Sequence, residues 1–171
     1  MEIFDLIFVC TGNTCRSPMA EGIMKELLLD EYNNTKISIP IRVSSAGTCT
    51  SAGEPLSEYS VKAAALDNVD ISHYRSKPLT KEMAEKADLI LTMEPVHTRL
   101  LKVSWPKLND VCELKSFGRK NTLIKYPGID DPLGKDFEFY IAVYNEIKSE
   151  IQRIYKDIFS MALRKSGIYG K

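Results

Sequence analysis

FVCTGNTCRSPMAEG, residues 8–22, decides how the rest of the chain is read. It closes an apolar run, IFDLIFVC (3–10), rich in β-formers on both faces, as a central parallel strand should be. Ser17 and Pro18 then open a helix, and Met19, Ile23, Met24, Leu27 and Leu28 recur at helical spacing to about residue 32. A loop leading from a strand into a helix turns backbone N–H groups inward at the positive end of the helix dipole, which makes it an anion cradle. Gly12 can take a positive φ there without penalty, and Asn13 is the next most tolerant residue type.

The side chains in this loop suit an anion that is attacked rather than merely held. Five residues separate Cys10 from Arg16, about enough chain to circle a tetrahedral oxyanion, with Thr11, Gly12, Asn13, Thr14 and Cys15 supplying N–H groups. Arg16 can offer two parallel donors to two oxygens. A thiol at a helix N-terminus beside a cation can fall from about 8.5 to roughly 3.5–7.5, so Cys10 is expected to be a thiolate nucleophile. Ser17 can hydrogen-bond that sulfur. Asn13 is expected to brace the loop, with Ser45 as a partner.

Other readings compete with the nucleophile. A buried cysteine is ordinarily a small hydrophobe. The C-x4-C pair could be half a zinc site, but Cys49, Cys112, His73 and His97 offer no second pair at ligand spacing. A Walker loop needs Gly-Lys-Ser/Thr, which is absent. His73 and His97 have no partner at catalytic spacing and read as surface or capping residues; Trp105 reads as core or a lone surface aromatic.

Outward from the loop, strand and helix patterns alternate. IPIRVSSAG (39–47) reads as a strand, 54–68 as a helix, ADLILTM (87–93) as a strand, 94–102 as a helix and NDVCEL (109–114) as a short strand. Residues 115–135 carry Gly, Pro and charge and read as a long loop. From Asp136 to Leu163 the positions Phe137, Tyr140, Tyr144, Ile147, Ile151, Ile154, Ile158 and Ala162 mark one amphipathic helix whose aromatics belong to the core. This alternation implies a single-domain α/β fold, a doubly wound parallel sheet flanked by helices, with the ligand beyond the carboxyl ends of the strands. The opening motif lies at that place.

Composition narrows the partners. The 171 residues carry 23 Lys+Arg and 23 Asp+Glu, a net charge of zero that implies no nucleic-acid partner. The tail MALRKSGIYGK is locally basic and reads as a solvated, frayed terminus. No run of about 18 apolar residues suggests a membrane span, and the acidic start MEIFDLIFVC does not read as a signal peptide. Four cysteines are too few for a disulfide scaffold at this length, so a reduced, cytoplasmic setting is expected. A monomer is expected.

VCTGNTCRSPMAEG resembles the active-site signature of the low-molecular-weight protein tyrosine phosphatases. The likeness continues through SSAGT (44–48), ADLILTMEPVH (87–97) and DDPLGKDFEFY (130–140). It implies a four-stranded parallel sheet and hydrolysis of phosphotyrosine-type phosphomonoesters through a phosphocysteine, with no metal or other cofactor. It further implies that the loop takes phosphate or sulfate, and that the substrate is a phosphorylated protein. By the same resemblance the Asp of the Asp-Pro pair, Asp131, is the general acid, with Asp130 the fallback. Cys15 reads either as a packed loop residue or, as the resemblance implies, as the partner of Cys10 in a protective disulfide.

Thr11 opens an alternative. Tyrosine-directed members resembling this chain carry a bulky aliphatic residue after the nucleophile, whereas members resembling protein arginine phosphatases carry Thr. A hydroxyl on the wall suits a guanidinium. Leu133 and Gly134 stand where aromatic walls are common, and the aromatic often found after SAGT is missing. Thiol-dependent arsenate reductases share a similar loop, but their relay uses a distant cysteine pair, and here only Cys112 stands in that region.

Overall fold

A computed structural model describes residues 2–36, 38, 40–108, 110–120 and 127–167. Strand β1 (Phe4–Cys10) is central and nearly all buried. It pairs in parallel with β2 (Ile41–Gly47) on one side and with β3 (Leu89–Thr92) on the other, and β3 pairs in parallel with β4 (Asp110–Glu113), giving the order β2-β1-β3-β4. The four-stranded parallel sheet expected above is present.

Alternation along β1 divides the core. Leu6, Phe8 and Cys10 face a cluster built with α1 (Arg16–Thr35), α2 (Glu58–Ala65) and α5 (Phe137–Ser166). Ile7 and Val9 face a smaller cluster with Ala84 of α3 (Lys81–Lys86) and Leu101 of α4 (Pro95–Ser104), joined by half-buried Trp105. Helices therefore cover both faces, as a doubly wound sheet requires. The chain leaves β1 toward β2 and returns to β3 on the opposite side, so the strand order reverses at the carboxyl end of β1. That is where Cys10 sits, and where such sheets bind ligands.

The α5 stripe is core: Tyr140, Tyr144, Ile147, Ile151, Ile154, Ile158 and Ala162 are all buried. Asp136 caps this helix, its side chain accepting from Phe139 N at 2.9 Å. Several boundaries differ from the sequence reading. The helix expected over 54–68 begins only at Glu58, because Pro55 is in an isolated bridge with Arg75. Short α3, capped by Thr80, was not expected at all; six residues carry too little periodicity to read. The tail is not wholly frayed, since α5 runs to Ser166, buries Ala162 and Leu163, and pairs Lys165 with Asp88 at 2.6 Å. Of the long loop expected over 115–135, residues 121–126 lie outside the described residues. The rest holds neither helix nor strand. No described helix is long and apolar enough to cross a membrane.

Candidate active site

Helix α1 starts at Arg16 with no side chain capping its N-terminus and no acidic residue in its first turn. Its dipole is thus uncompensated by the protein at the point where the loop 10–16 curls over it. Cys10, Thr11, Gly12, Thr14, Cys15, Arg16, Cys49, Asp131 and Leu133 line a cavity of about 220 Å³ there. The sequence motif and the distant Asp-Pro pair are brought together on one wall.

Of the two residues able to take the left-handed backbone in the loop, Asn13 does so (φ 52) and Gly12 does not. Asparagine tolerates this region, and its side chain is tied on three sides. Its Nδ2 donates to Ser17 Oγ and to Ser45 Oγ, both at 2.9 Å, and its Oδ1 accepts from Lys77 N at 2.9 Å. Ser45 in turn donates to buried Glu21 at 2.6 Å. Ser17 Oγ accepts from Asn13 and lies 3.0 Å from Cys10 Sγ, with the Ala46 carbonyl 3.5 Å away as its other acceptor, so it can donate to the sulfur once that sulfur is ionised. The Asn13 N–H also reaches that sulfur, at 3.3 Å.

Cys10 is 2 % exposed. Burial pushes its thiol above the ordinary range, against the pull of the Ser17 hydroxyl and N–H, the Arg16 guanidinium and the Asn13 N–H. The sequence expectation of a lowered thiol considered the cation and the dipole but not this desolvation. Attack therefore depends on the donors around the sulfur, which lower the cost of losing its proton.

Arg16 is 1 % exposed and spans three partners contributed by distant segments. One terminal nitrogen donates to Glu94 Oε2 at 2.5 Å and to the Ile129 carbonyl at 2.9 Å; the other donates to Asp131 Oδ2 at 2.8 Å. Its Nε–H is buried with no acceptor among the described residues. Asp131, not Asp130, lines the cavity, although both are exposed. Pro132 beside it is buried and stiffens the presentation of the carboxylate.

Three neighbours escaped the sequence reading. Glu94 follows β3 at the carboxyl edge of the sheet, a position that could have flagged it. His97, read above as a surface or capping residue, is 3 % exposed and its Nε2 lies 2.8 Å from Thr11 Oγ1. Cys49 is exposed on the cavity rim, placed by its N–H bond to the Thr11 carbonyl at 3.0 Å. His73 is exposed, as read. Cys15 is a buried free thiol, 3.7 Å from Tyr140 Oη.

The arsenate relay finds no support in the geometry. Cys112 lies half-buried in β4, and burial together with Glu113 pushes its thiol up to about 11.

Comparison with known proteins agrees with this architecture. The model of the low molecular weight phosphotyrosine protein phosphatases matches residues 5–165. A protein-arginine-phosphatase of Bacillus subtilis is 32 % identical over 155 residues, covering 90 % of this chain and 96 % of that protein. An arsenate reductase of Staphylococcus epidermidis is 31 % identical, covering 89 % and 96 %. A solved YwlE arginine phosphatase mutant with a phosphorylated active-site serine superimposes with a TM-score of 0.80 at 29 % identity, covering 91 % of this chain and 95 % of that one. With the cysteine loop, the parallel sheet and the match over nearly the whole chain in agreement, this protein belongs to the low molecular weight phosphotyrosine protein phosphatase family and is a cysteine-dependent protein phosphatase.

Proposed function

We propose that this phosphatase hydrolyses phosphoarginine in proteins in preference to phosphotyrosine, through a phosphocysteine on Cys10. The observation that carries the preference is the hydroxyl wall. Thr11 follows the nucleophile, lines the cavity and is hydrogen-bonded to a buried histidine. A guanidinium leaving group brings N–H donors to this wall, where the Thr11 hydroxyl and the Asp131 carboxylate line the cavity. A phenol ring would find no aromatic partner among the residues lining the cavity, where Leu133 is 71 % exposed.

In the proposed reaction the Cys10 sulfur attacks phosphorus in line as the bond to the leaving nitrogen or oxygen breaks, and Asp131 gives that atom a proton. Asp131 then takes a proton from the water that cleaves the phosphorus–sulfur bond, releasing inorganic phosphate and restoring the thiolate. The loop N–H groups and the unpaired Nε–H of Arg16 receive the equatorial oxygens. Asn13, Ser17 and Ser45 hold the loop, and Thr14 O anchors it to Ser57 N at 3.0 Å. Mild peroxide is expected to join Cys10 to Cys15, read as a mass loss on that peptide pair; recovery of sulfonic acid alone at Cys10 would argue against the pairing.

The test compares phosphoarginine and phosphotyrosine peptides on wild type and on Thr11→Ile. The substitution should reverse the preference; an unchanged ratio refutes the assignment. Cys10→Ser should abolish turnover of both peptides while inorganic phosphate still binds.

A further inference from the structure

His97 is the one imidazole in contact with the cavity wall among the described residues, and its surroundings are unusual. It sits in the first turn of α4 and is buried. Nδ1 has no hydrogen-bond partner among the described residues. Nε2 makes one close polar contact, to Thr11 Oγ1 at 2.8 Å, with Glu94 Oε2 further off at 3.8 Å. The groups facing the ring from the packed segments are Arg16, Glu94 and Asp131. Burial and the Arg16 charge press the ring toward its neutral form, more than the two carboxylates oppose it.

A neutral imidazole carries one proton. On Nδ1 that proton would be a buried donor without an acceptor, which native interiors avoid. On Nε2 it faces the threonine oxygen and leans toward the Glu94 carboxylate. The Nε2–H tautomer follows, with His97 donating and Thr11 accepting.

This bond matters because threonine is ambivalent. Rotation about χ1 exchanges its hydroxyl for its methyl among staggered wells. A Thr11 with its methyl turned to the cavity would present the same surface as an aliphatic side chain. Only a fixed partner for Oγ1 makes the wall reliably polar, and leaves Thr11 its own proton and a remaining lone pair for a ligand.

Resting on the phosphoarginine reading above, we propose that His97 is the positioning residue that holds the Thr11 hydroxyl in place and so sets the choice of leaving group. Neither residue selects alone. Thr11 supplies the polar atom, and His97, 86 positions away in sequence, decides which side of the wall it occupies.

The experiment measures kcat/KM for a phosphoarginine and a phosphotyrosine peptide on wild type, His97→Leu and His97→Gln, each in the Thr11 and Thr11→Val backgrounds. His97→Leu should lower the phosphoarginine-to-phosphotyrosine ratio about tenfold, the size of one oriented hydrogen bond. His97→Gln, whose amide can donate from near the Nε2 position, should recover most of it. In Thr11→Val the histidine substitutions should leave the ratio alone. An unchanged ratio in His97→Leu, or an equal shift in both backgrounds, overturns the proposal. Thermal unfolding of each variant separates loss of fold from loss of selection, and His97→Phe, which keeps a ring but no donor and should lower the ratio as His97→Leu does, retains the test if His97→Leu does not fold. Failure of the underlying reading is distinct: wild type would then show no preference for phosphoarginine at all.

Discussion

Ser17 Oγ lies 3.0 Å from Cys10 Sγ, nearer than its other acceptor, the Ala46 carbonyl at 3.5 Å, and can donate to the sulfur when that sulfur is a thiolate. A hydrogen bond to a charged group contributes about 1.5–3 kcal/mol. This one favours the thiolate both before attack and when the phosphorus–sulfur bond breaks.

Ser17→Ala is therefore expected to raise the Cys10 thiol further above its ordinary range. Ser17 lowers that pKa in the native arrangement, so its loss moves the acid limb of kcat/KM upward. Because both pH 6 and pH 8 lie below the raised thiol pKa, activity should fall by a similar factor, about tenfold, at each, and the gap from wild type should close only as the pH climbs past the thiol. The rate of iodoacetate alkylation against pH reads the same shift directly, and an unmoved profile would remove Ser17 from this role.

Asp131→Asn should lower kcat by about 10²–10⁴ on substrates whose leaving group needs a proton. The loss should be smaller on para-nitrophenyl phosphate, whose phenolate leaves unaided. Equal losses on both would mean that Asp131 matters through its ion pair with Arg16, at 2.8 Å, rather than as an acid.

Glu94→Ala takes one counter-charge from a guanidinium that is 1 % exposed. Asp131 and the Ile129 carbonyl remain, so a loss of about 1–3 kcal/mol in unfolding free energy is expected, not a collapse. Inorganic phosphate should restore more stability to this variant than to wild type, because the anion supplies the missing charge. Urea unfolding with and without phosphate checks both statements.

Gly47→Ala tests the close approach of β2 to the loop. A Cβ there would stand 2.6 Å from the Thr11 carbonyl oxygen and 2.8 Å from Thr50 Cγ2. Backbone on one side leaves little room to yield, so the substitution should cost about 1–3 kcal/mol. It should also weaken phosphate binding, since the displaced carbonyl belongs to the cradle. Isothermal titration with phosphate on the folded variant would show it; wild-type affinity would mean the loop accommodates the methyl.

Local patterns carried much of this protein in its sequence. The apolar run ending at Cys10, the Ser17-Pro18 helix start and the α5 stripe each depend on neighbours a few residues apart, and period and propensity record such neighbours. The cysteine loop was legible for the same reason: its donors and its nucleophile are contiguous. What the fold alone decided were contacts between segments 78 to 115 positions apart, where Glu94, Ile129 O and Asp131 converge on Arg16 and His97 reaches Thr11. No spacing rule encodes these. They exist because β3 pairs beside β1 and brings the start of α4 to the cradle. The same burial that assembles them reverses the expected shift of the Cys10 thiol, and the choice of Asn13 over Gly12 for the left-handed turn goes with an Asn13 side chain braced by Ser17, Ser45 and Lys77 N. Residue types named the chemistry; the packing of one strand edge against another chose its neighbours.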